Sequence, residues 1–333
     1  MVQTRLHNRP NNNKETIALN MTRRGFVGLS MAMGVGGLAN LPMAAQAQQG
    51  YPFSAGSDRP RINVPPLACD CHHHIYDRAY RYVDNRNLPD ARVNDYLGLR
   101  SRLGLDRSVV IQPSSYGTDN SCLLAALTEL GDTSRGIAVV DTTVPDAELE
   151  KLQAAGVRGI RFNFGAGSAT SPEMIAPLSE RIAPLGWHIE VHASADALVA
   201  LRPIFRGLPV QIVFDHFGRL PYPDPMGHPA FDMIIGLLDH QRAWVKVSGA
   251  YQESLDGSPG YDDVSPLARA FFEEAPDRVV WGTDWPHPSL QSMRKPMPDD
   301  AALLDLLGDW TRDEDRLRRV LVENPARLYG FPG

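Results

Sequence analysis

The sequence predicts an α/β protein, a (β/α)8 TIM barrel in a single domain that follows an N-terminal signal and a linker. Eight short runs rich in Val and Ile alternate with helix-like segments, the pattern of strands covered on both faces. Together these units span about 265 residues, close to the usual length of such a barrel. Polar residues gather where the runs end, which is the end at which barrel active sites are assembled. A doubly wound open sheet is the competing arrangement. No G-x-G-x-x-G follows the first run, however, and no Walker A motif occurs anywhere.

The units follow one another with little between them. Leu67–Ile75 reads as a strand and Asn94–Leu103 as its helix; Ser108–Gln112 then precedes Ser121–Leu130. Gly136–Asp141 precedes Asp146–Ala155, a helix that starts after Pro145 and stops at Gly156. Arg158–Phe164 precedes Pro172–Leu185, and Trp187–His192 precedes Ala195–Arg206. Val210–Asp215 precedes Ala230–His240, and Trp244–Ser248 precedes Val264–Glu274. Val279–Asp284 precedes Ala301–Trp310, and a last helix, Glu314–Glu323, leads into Asn324–Tyr329, which reads as docking structure rather than chemistry.

Composition excludes several classes. At 43% hydrophobic and 22% charged, the chain is neither disordered nor a coiled coil. A formal charge of −6 without a basic run makes nucleic acid a poor partner. Three cysteines (Cys69, Cys71 and Cys122) form no disulfide framework, and C-x-C lacks zinc-ribbon spacing. They read as buried thiols.

Residues 1–47 read as a twin-arginine export signal. Arg23-Arg24 is followed by Phe26, no charged side chain occurs from Gly25 to Ser57, and Ala45-Gln46-Ala47 supplies a cleavage site. The apolar stretch Phe26–Ala39 is shorter than the roughly 20 residues of a spanning helix. Met21 is a second candidate start. Cleavage removes Arg5, Arg9, Lys14, Arg23, Arg24 and Glu15, leaving 286 residues with a charge of −10. Pro-rich residues 48–66 then read as a linker, and 67–333 as the barrel. The expected location is the periplasm, with the cytoplasm as the alternative. No membrane contact is expected after cleavage, and a homo-oligomer is left open.

Strict alternation along the first strand places Asp70, His72 and His74 on one face, and Cys71 and His73 on the other. Arg161 and Asn163 share a face of the fourth strand, as do His188, Glu190 and His192 of the fifth. The sixth ends Asp215-His216 with Arg219 just beyond, and the seventh ends at Ser248 before Tyr251. The eighth ends Thr283-Asp284-Trp285-Pro286-His287. Two imidazoles at H-x-H spacing on a strand end fit one zinc ion. His192 and Asp284 would complete a mononuclear site from His72, His74, His192 and Asp284. Glu190 is expected to orient a neighbouring histidine, with His188 and His287 structural. His7, His228 and His240 read as tail or surface residues.

These segments resemble the amidohydrolase superfamily, in its amidohydrolase-2 branch. The resemblance is carried by Cys69–Asp77, Gly159–Asn163, Glu190–His192, Phe214–Arg219, Val245–Tyr251, Gly282–Pro288 and Asn324–Tyr329. It is strongest to the lactone-hydrolysing members, whose substrates include pyrone-dicarboxylates, sulfomuconolactone and sugar lactones. The resemblance implies a hydrolase that opens a small anionic lactone by water attack on the ring ester carbonyl. Asp284 would be the general base, and His216 a second proton-transfer group. Arg161, Asn163, Arg219, Ser248 and Tyr251 would bind substrate, the arginines by bidentate contact with a carboxylate or sulfonate. The branch is split between zinc-dependent and metal-independent members, so one Zn2+ is expected with metal-free catalysis as the alternative. Two-metal members use a carboxylated lysine on the fourth strand, where this chain has Arg161. Rival activities in the branch are a metal-dependent non-oxidative decarboxylase and a sugar-lactone hydrolase or isomerase.

Overall fold

A computed structural model describes residues 50–83, 88–165 and 168–332; the expected signal peptide, residues 1–47, lies outside them. Eight strands form one sheet in sequential order, every neighbouring pair parallel. They are β1 (Cys69–His73), β2 (Arg107–Ile111), β3 (Ser134–Ala138), β4 (Val157–Asn163), β5 (His188–His192), β6 (Ile212–Phe214), β7 (Ala243–Ser248) and β8 (Val279–Gly282). The sheet curls into a nearly closed barrel, because residues just past β8 bond to β1. Asp284 N–H donates to His72 O at 2.7 Å, and His74 N–H to Trp285 O at 2.8 Å. Gly282 is required at this seam: a Cβ there would lie 2.5 Å from the His72 nitrogen.

Helices cover the outside, the longer ones burying an apolar face at helical spacing. They are α1 (Val93–Leu103), α2 (Ser121–Leu130), α3 (Asp146–Ala154), α4 (Ile175–Ile182), α5 (Ala195–Gly207), α6 (Pro229–Asp239) and α7 (Ser265–Glu274). After β8 come α8 (Pro288–Ser292), α9 (Asp300–Thr311), α10 (Glu314–Arg318) and α11 (Asn324–Tyr329). In α2 the buried set is Cys122, Leu123, Ala126, Leu127 and Leu130, and in α5 it is Ala195, Leu198, Leu201 and Phe205. The short helix α8 has no counterpart in the sequence reading. Three to five residues around two prolines carry too little pattern to mark a helix.

Two expectations are corrected. The described part of the Pro-rich segment, residues 50–66, packs on the barrel instead of running free of it. Arg102 of α1 bonds Asp58 O, Ala55 O and Ser54 Oγ, and Trp285 Nε1 donates to Pro52 O. Arg61 pairs with Asp305 of α9, and Phe53 packs edge-on against Trp285 at 5.7 Å. The chain is therefore strapped against the loop that carries Asp284. The phase of β1 is the second correction. Its register shifts between Asp70 and His73, and one extra residue reverses the alternation. Cys69 and Cys71 consequently pack inside with Ile111, Ile137, Val213, Trp244 and Tyr329, while Asp70 points to the helix layer. His72 and His74 still face inward, and His73 stacks flat on Tyr96 of α1 at 3.5 Å.

Asp70 is a hub rather than an active-site acid. Its carboxylate accepts from His72 N, Thr283 N, Thr283 Oγ1 and Tyr96 Oη. Burial pushes its pKa up to about 6, against the opposing pull of these donors. Asp70→Ala should destabilise the protein by about 2–4 kcal/mol, since it strands several buried donors at once. Chemical denaturation checks the value, with the slope m unchanged.

Candidate active site

The site lies at the C-terminal end of the strands, the end to which a parallel barrel delivers side chains. His72 and His74 come from β1 and the turn after it, Arg161 and Asn163 from β4, and His192 from β5. His216 and Arg219 come from the turn after β6, whose residues 216–219 all have positive φ (49°, 56°, 69° and 50°). Asp284, past β8, has φ 60°. Left-handed backbone at non-glycine residues is strained, and such strain concentrates where a side chain must be aimed. A cavity of about 270 Å³ is lined by His74, Arg161, Asn163, His192, His216, Arg219, Gln252 and Asp284, with Tyr76 and Ser289 on its wall.

Asp284 organises the centre, and its two oxygens have different jobs. Oδ2 accepts from Tyr251 Oη at 2.6 Å and from Gln252 Nε2 at 2.9 Å. Oδ1 faces His74 Nε2 at 3.2 Å, His72 Nε2 at 3.6 Å and His216 Nε2 at 4.0 Å. Burial by itself would raise the pKa of this acid, but the facing His216, then His74 and His72, hold it well below the usual carboxylate range. His216 is kept neutral by burial, its pKa pulled down to about 4. The result is an ionised carboxylate beside a neutral His216.

Beneath this centre is a buried charge cluster. Lys246 of β7 is fully buried and donates to Glu190 Oε2 at 2.7 Å; it lies 3.5 Å from Asp215 Oδ1 and 3.1 Å from His72 Nδ1. Arg161 donates to Asp215 Oδ2 through Nε and Nη2, both at 3.0 Å. Two cations therefore balance two carboxylates, which is how buried charge is tolerated. Tyr329 of α11 reaches Glu190 Oε1 from the barrel floor at 3.3 Å.

The sequence-predicted residues are largely brought together, with changes of role. His72, His74, His192, His216, Arg161, Asn163, Arg219 and Asp284 converge. Ser248 and Tyr251 do not line the cavity: Ser248 Oγ sits 2.9 Å from His216 Nδ1, and Tyr251 holds Asp284. Their hydroxyls are directed at His216 and Asp284 rather than at the cavity. Arg161 is tied to Asp215, and Arg219 pairs with Glu253 at 2.5 Å, yet both still border the cavity. Glu190 serves Lys246 first, with His188 Nε2 at 3.5 Å. His287 lies 3.1 Å from Tyr251 Oη and 3.2 Å from Asp300, so it steadies the residue that steadies Asp284.

Sequence reasoning passed over Lys246 and Gln252. Period two counted back from inward Ser248 would have placed Lys246 in the barrel. Nothing local marks Gln252, a polar residue in a turn.

The donor set fits one metal ion, three of the four expected ligands lying closest together. Among the described residues, His72, His74 and Asp284 offer atoms that all lie within 4.8 Å of one another. His74 Nδ1 donates to Ile111 O at 2.9 Å, leaving an Nε2 lone pair facing a carboxylate oxygen. Two acceptors so placed call for a cation or a proton between them. His72 Nε2 is buried without a hydrogen-bond partner, and its Nδ1 lies between Asp215 and Lys246, which support opposite tautomers. The fourth expected ligand, His192, lines the same cavity but lies outside this group, its Nε2 3.3 Å from the Arg219 guanidinium. Substituting His74→Ala should lower the affinity for added Zn2+ by at least about 100-fold, and His192→Ala by less than about 10-fold, in equilibrium dialysis.

Comparison with known proteins places this geometry. The model of the amidohydrolase family matches residues 69–331. The chain is 36% identical over 289 residues to a 2-pyrone-4,6-dicarboxylate hydrolase of Comamonas testosteroni, covering 83% of this chain and 94% of the relative. It is 36% identical over 275 residues to a 4-sulfomuconolactone hydrolase of Rhizobium radiobacter, covering 80% and 91%. A solved Acinetobacter baumannii structure, described as a 2-pyrone-4,6-dicarboxylic acid hydrolase with citric acid bound, superposes with a TM-score of 0.70 at 26% identity, covering 80% of this chain and all 100% of that one. A barrel whose first, fifth, sixth and eighth strands converge on one buried aspartate, and whose sequence matches along nearly its whole barrel, belongs to the amidohydrolase family.

Proposed function

We propose that this enzyme hydrolyses a small monocyclic lactone bearing a carboxylate or sulfonate, opening the ring by water attack on the ester carbonyl. The observation that carries the reading is Asp284, whose Oδ2 is saturated by two donors while Oδ1 faces a small cavity bordered by Arg161 and Arg219. The relatives' lactone substrates and the citrate held by the Acinetobacter structure support an anionic ligand.

Substrate charge must be recognised locally, because a chain this acidic repels anions at long range. Arg161 and Arg219 border the cavity with guanidinium groups suited to a planar anion. The carbonyl then lies over the imidazoles. Asp284 Oδ1 orients the attacking water and takes its proton. In the absence of a metal, His72 Nε2, buried without a hydrogen-bond partner, is an imidazole nitrogen free to donate to the oxygen that gains charge. The proton taken up by Asp284 passes by way of neutral His216, whose Nε2 lies 4.0 Å from Oδ1 and whose Nδ1 is fixed by Ser248, to the departing ring oxygen, leaving Asp284 ionised again. A divalent ion held by His72, His74 and Asp284 would polarise the carbonyl and lower the pKa of a bound water.

A panel of lactones with and without chelator tests this. Asp284→Asn should lower kcat/KM by about 10³-fold, in the range of a lost general base. Chelation should abolish turnover and Zn2+ restore it. Activity that survives chelation would remove the metal and keep the hydrolase. Release of CO2 from an unsaturated acid, or isomerisation without uptake of water, would overturn hydrolysis.

Delivery of the folded enzyme to the periplasm is a separate part of the proposal, supported by Arg23-Arg24 and the uncharged stretch after them. Among the described residues no helix is long and apolar enough to cross a membrane. Replacing Arg23 and Arg24 by Lys should retain the protein in the cytoplasmic fraction; periplasmic recovery equal to that of the wild type would remove this part.

A further inference from the structure

We propose that Gln252 is a positioning residue that couples anion recognition at Arg219 to the alignment of Asp284, so that the base is held in register when Arg219 carries the substrate's anionic group. This rests on the lactone-hydrolase reading.

The side chain joins the two groups directly. Gln252 Nε2 donates to Asp284 Oδ2 at 2.9 Å, and Gln252 Oε1 accepts from Arg219 Nη1 at 2.8 Å. Its amide orientation is not arbitrary. A carboxylate can only accept and a guanidinium can only donate, so the NH2 end must face Asp284 and the oxygen must face Arg219. Flipping the amide would break both bonds. The residue borders the cavity together with Arg219, His192 and His216.

Neighbouring groups limit how either end moves. Arg219 is held on its other edge by Glu253, with Nε donating to Oε1 at 2.5 Å, and its Nη1 also lies 3.3 Å from His192 Nε2. Asp284 Oδ2 is shared with Tyr251, which stays put because His287 and Asp300 stand behind it. Gly249, at φ 64°, begins the turn that carries Tyr251 and Gln252; a Cβ there would lie 2.8 Å from Gln252 Nε2 and 3.0 Å from His216 Nδ1. One turn therefore supplies both donors to Oδ2, and only the Gln252 donor is tied to the anion-binding side. When a substrate anion draws on Arg219, the amide transmits that displacement to the carboxylate. Tyr251, by contrast, holds Asp284 whatever occupies the cavity.

The test compares kcat/KM of the full-length enzyme on a carboxylate-bearing lactone and on its neutral methyl ester. Gln252→Met removes both bonds at similar side-chain length. Gln252→Glu keeps an acceptor for Arg219 but sets an oxygen against Asp284. On the anionic lactone, Gln252→Met should lose about 30-fold, mostly in kcat, against about 3-fold on the ester, because the lost interaction works through the reacting geometry. Gln252→Glu should lose at least as much on the anionic lactone. The double variant Arg219→Met/Gln252→Met should be no worse on that substrate than Arg219→Met alone, the non-additivity of a shared unit. The ratio between the two substrates does not depend on how much protein folds, so a destabilised variant still reports. Equal losses on both substrates, a loss confined to KM, or multiplicative single-variant effects would each overturn the coupling. Wild-type enzyme that opens neither lactone would remove the hydrolase reading itself, which is distinguishable from an active wild type whose Gln252 variants show no substrate dependence.

Discussion

Closure of the barrel between β8 and β1 is the constraint from which the site follows. Asp284 N–H donates to His72 O, and the strands approach closely enough there that Gly282 has no room for a side chain. Just outside the seam, Asp70 ties Thr283 to His72 with a single carboxylate. Had β8 ended elsewhere, Asp284 would not lie among His72, His74 and His216. The strap from residues 51–58 reinforces the same seam from outside, through Trp285 and Arg102.

The second requirement is charge balance in the buried interior of the barrel. Lys246 and Arg161 offset Glu190 and Asp215 beneath the histidines. Burial is the largest influence on His72, driving its pKa well below the ordinary range, and Lys246 adds to it. A neutral imidazole can ligate a metal or donate to an oxyanion, whereas an imidazolium can do only the second. The cluster thus fixes what chemistry the upper layer is able to perform. It also explains why Glu190 does not behave as a simple histidine partner: a fully buried ammonium at 2.7 Å takes precedence over an imidazole at 3.5 Å.

Much of the fold was legible because a parallel barrel imposes a regular signal. Strands covered on both faces read as short apolar runs, and the α2 boundaries Ser121–Leu130 follow from its hydrophobic period alone. The convergence of β1, β5, β6 and β8 on one mouth was equally legible, since every parallel strand ends on the same side. Roles were harder to read than positions. Ser248 and Tyr251 lie at the strand end expected of substrate-binding residues, but each spends its hydroxyl on a neighbour, His216 or Asp284. His192 has the right strand and phase for a metal ligand, yet a guanidinium from the following turn occupies its Nε2.

By itself the sequence determined the barrel, its family and the identity of the converging side chains, because periodicity and strand-end chemistry are local properties of the chain. Tertiary structure decided the rest. The extra residue in β1 that turns Asp70 outward arises from matching register with β2, which no pattern within Cys69–His73 encodes. The buried partners of Lys246 and the two-sided grip of Gln252 join residues tens to well over a hundred positions apart, so they exist only after the strands are packed. Hydrogen bonds of this kind depend on distance and direction in space, and a linear order of residues carries neither.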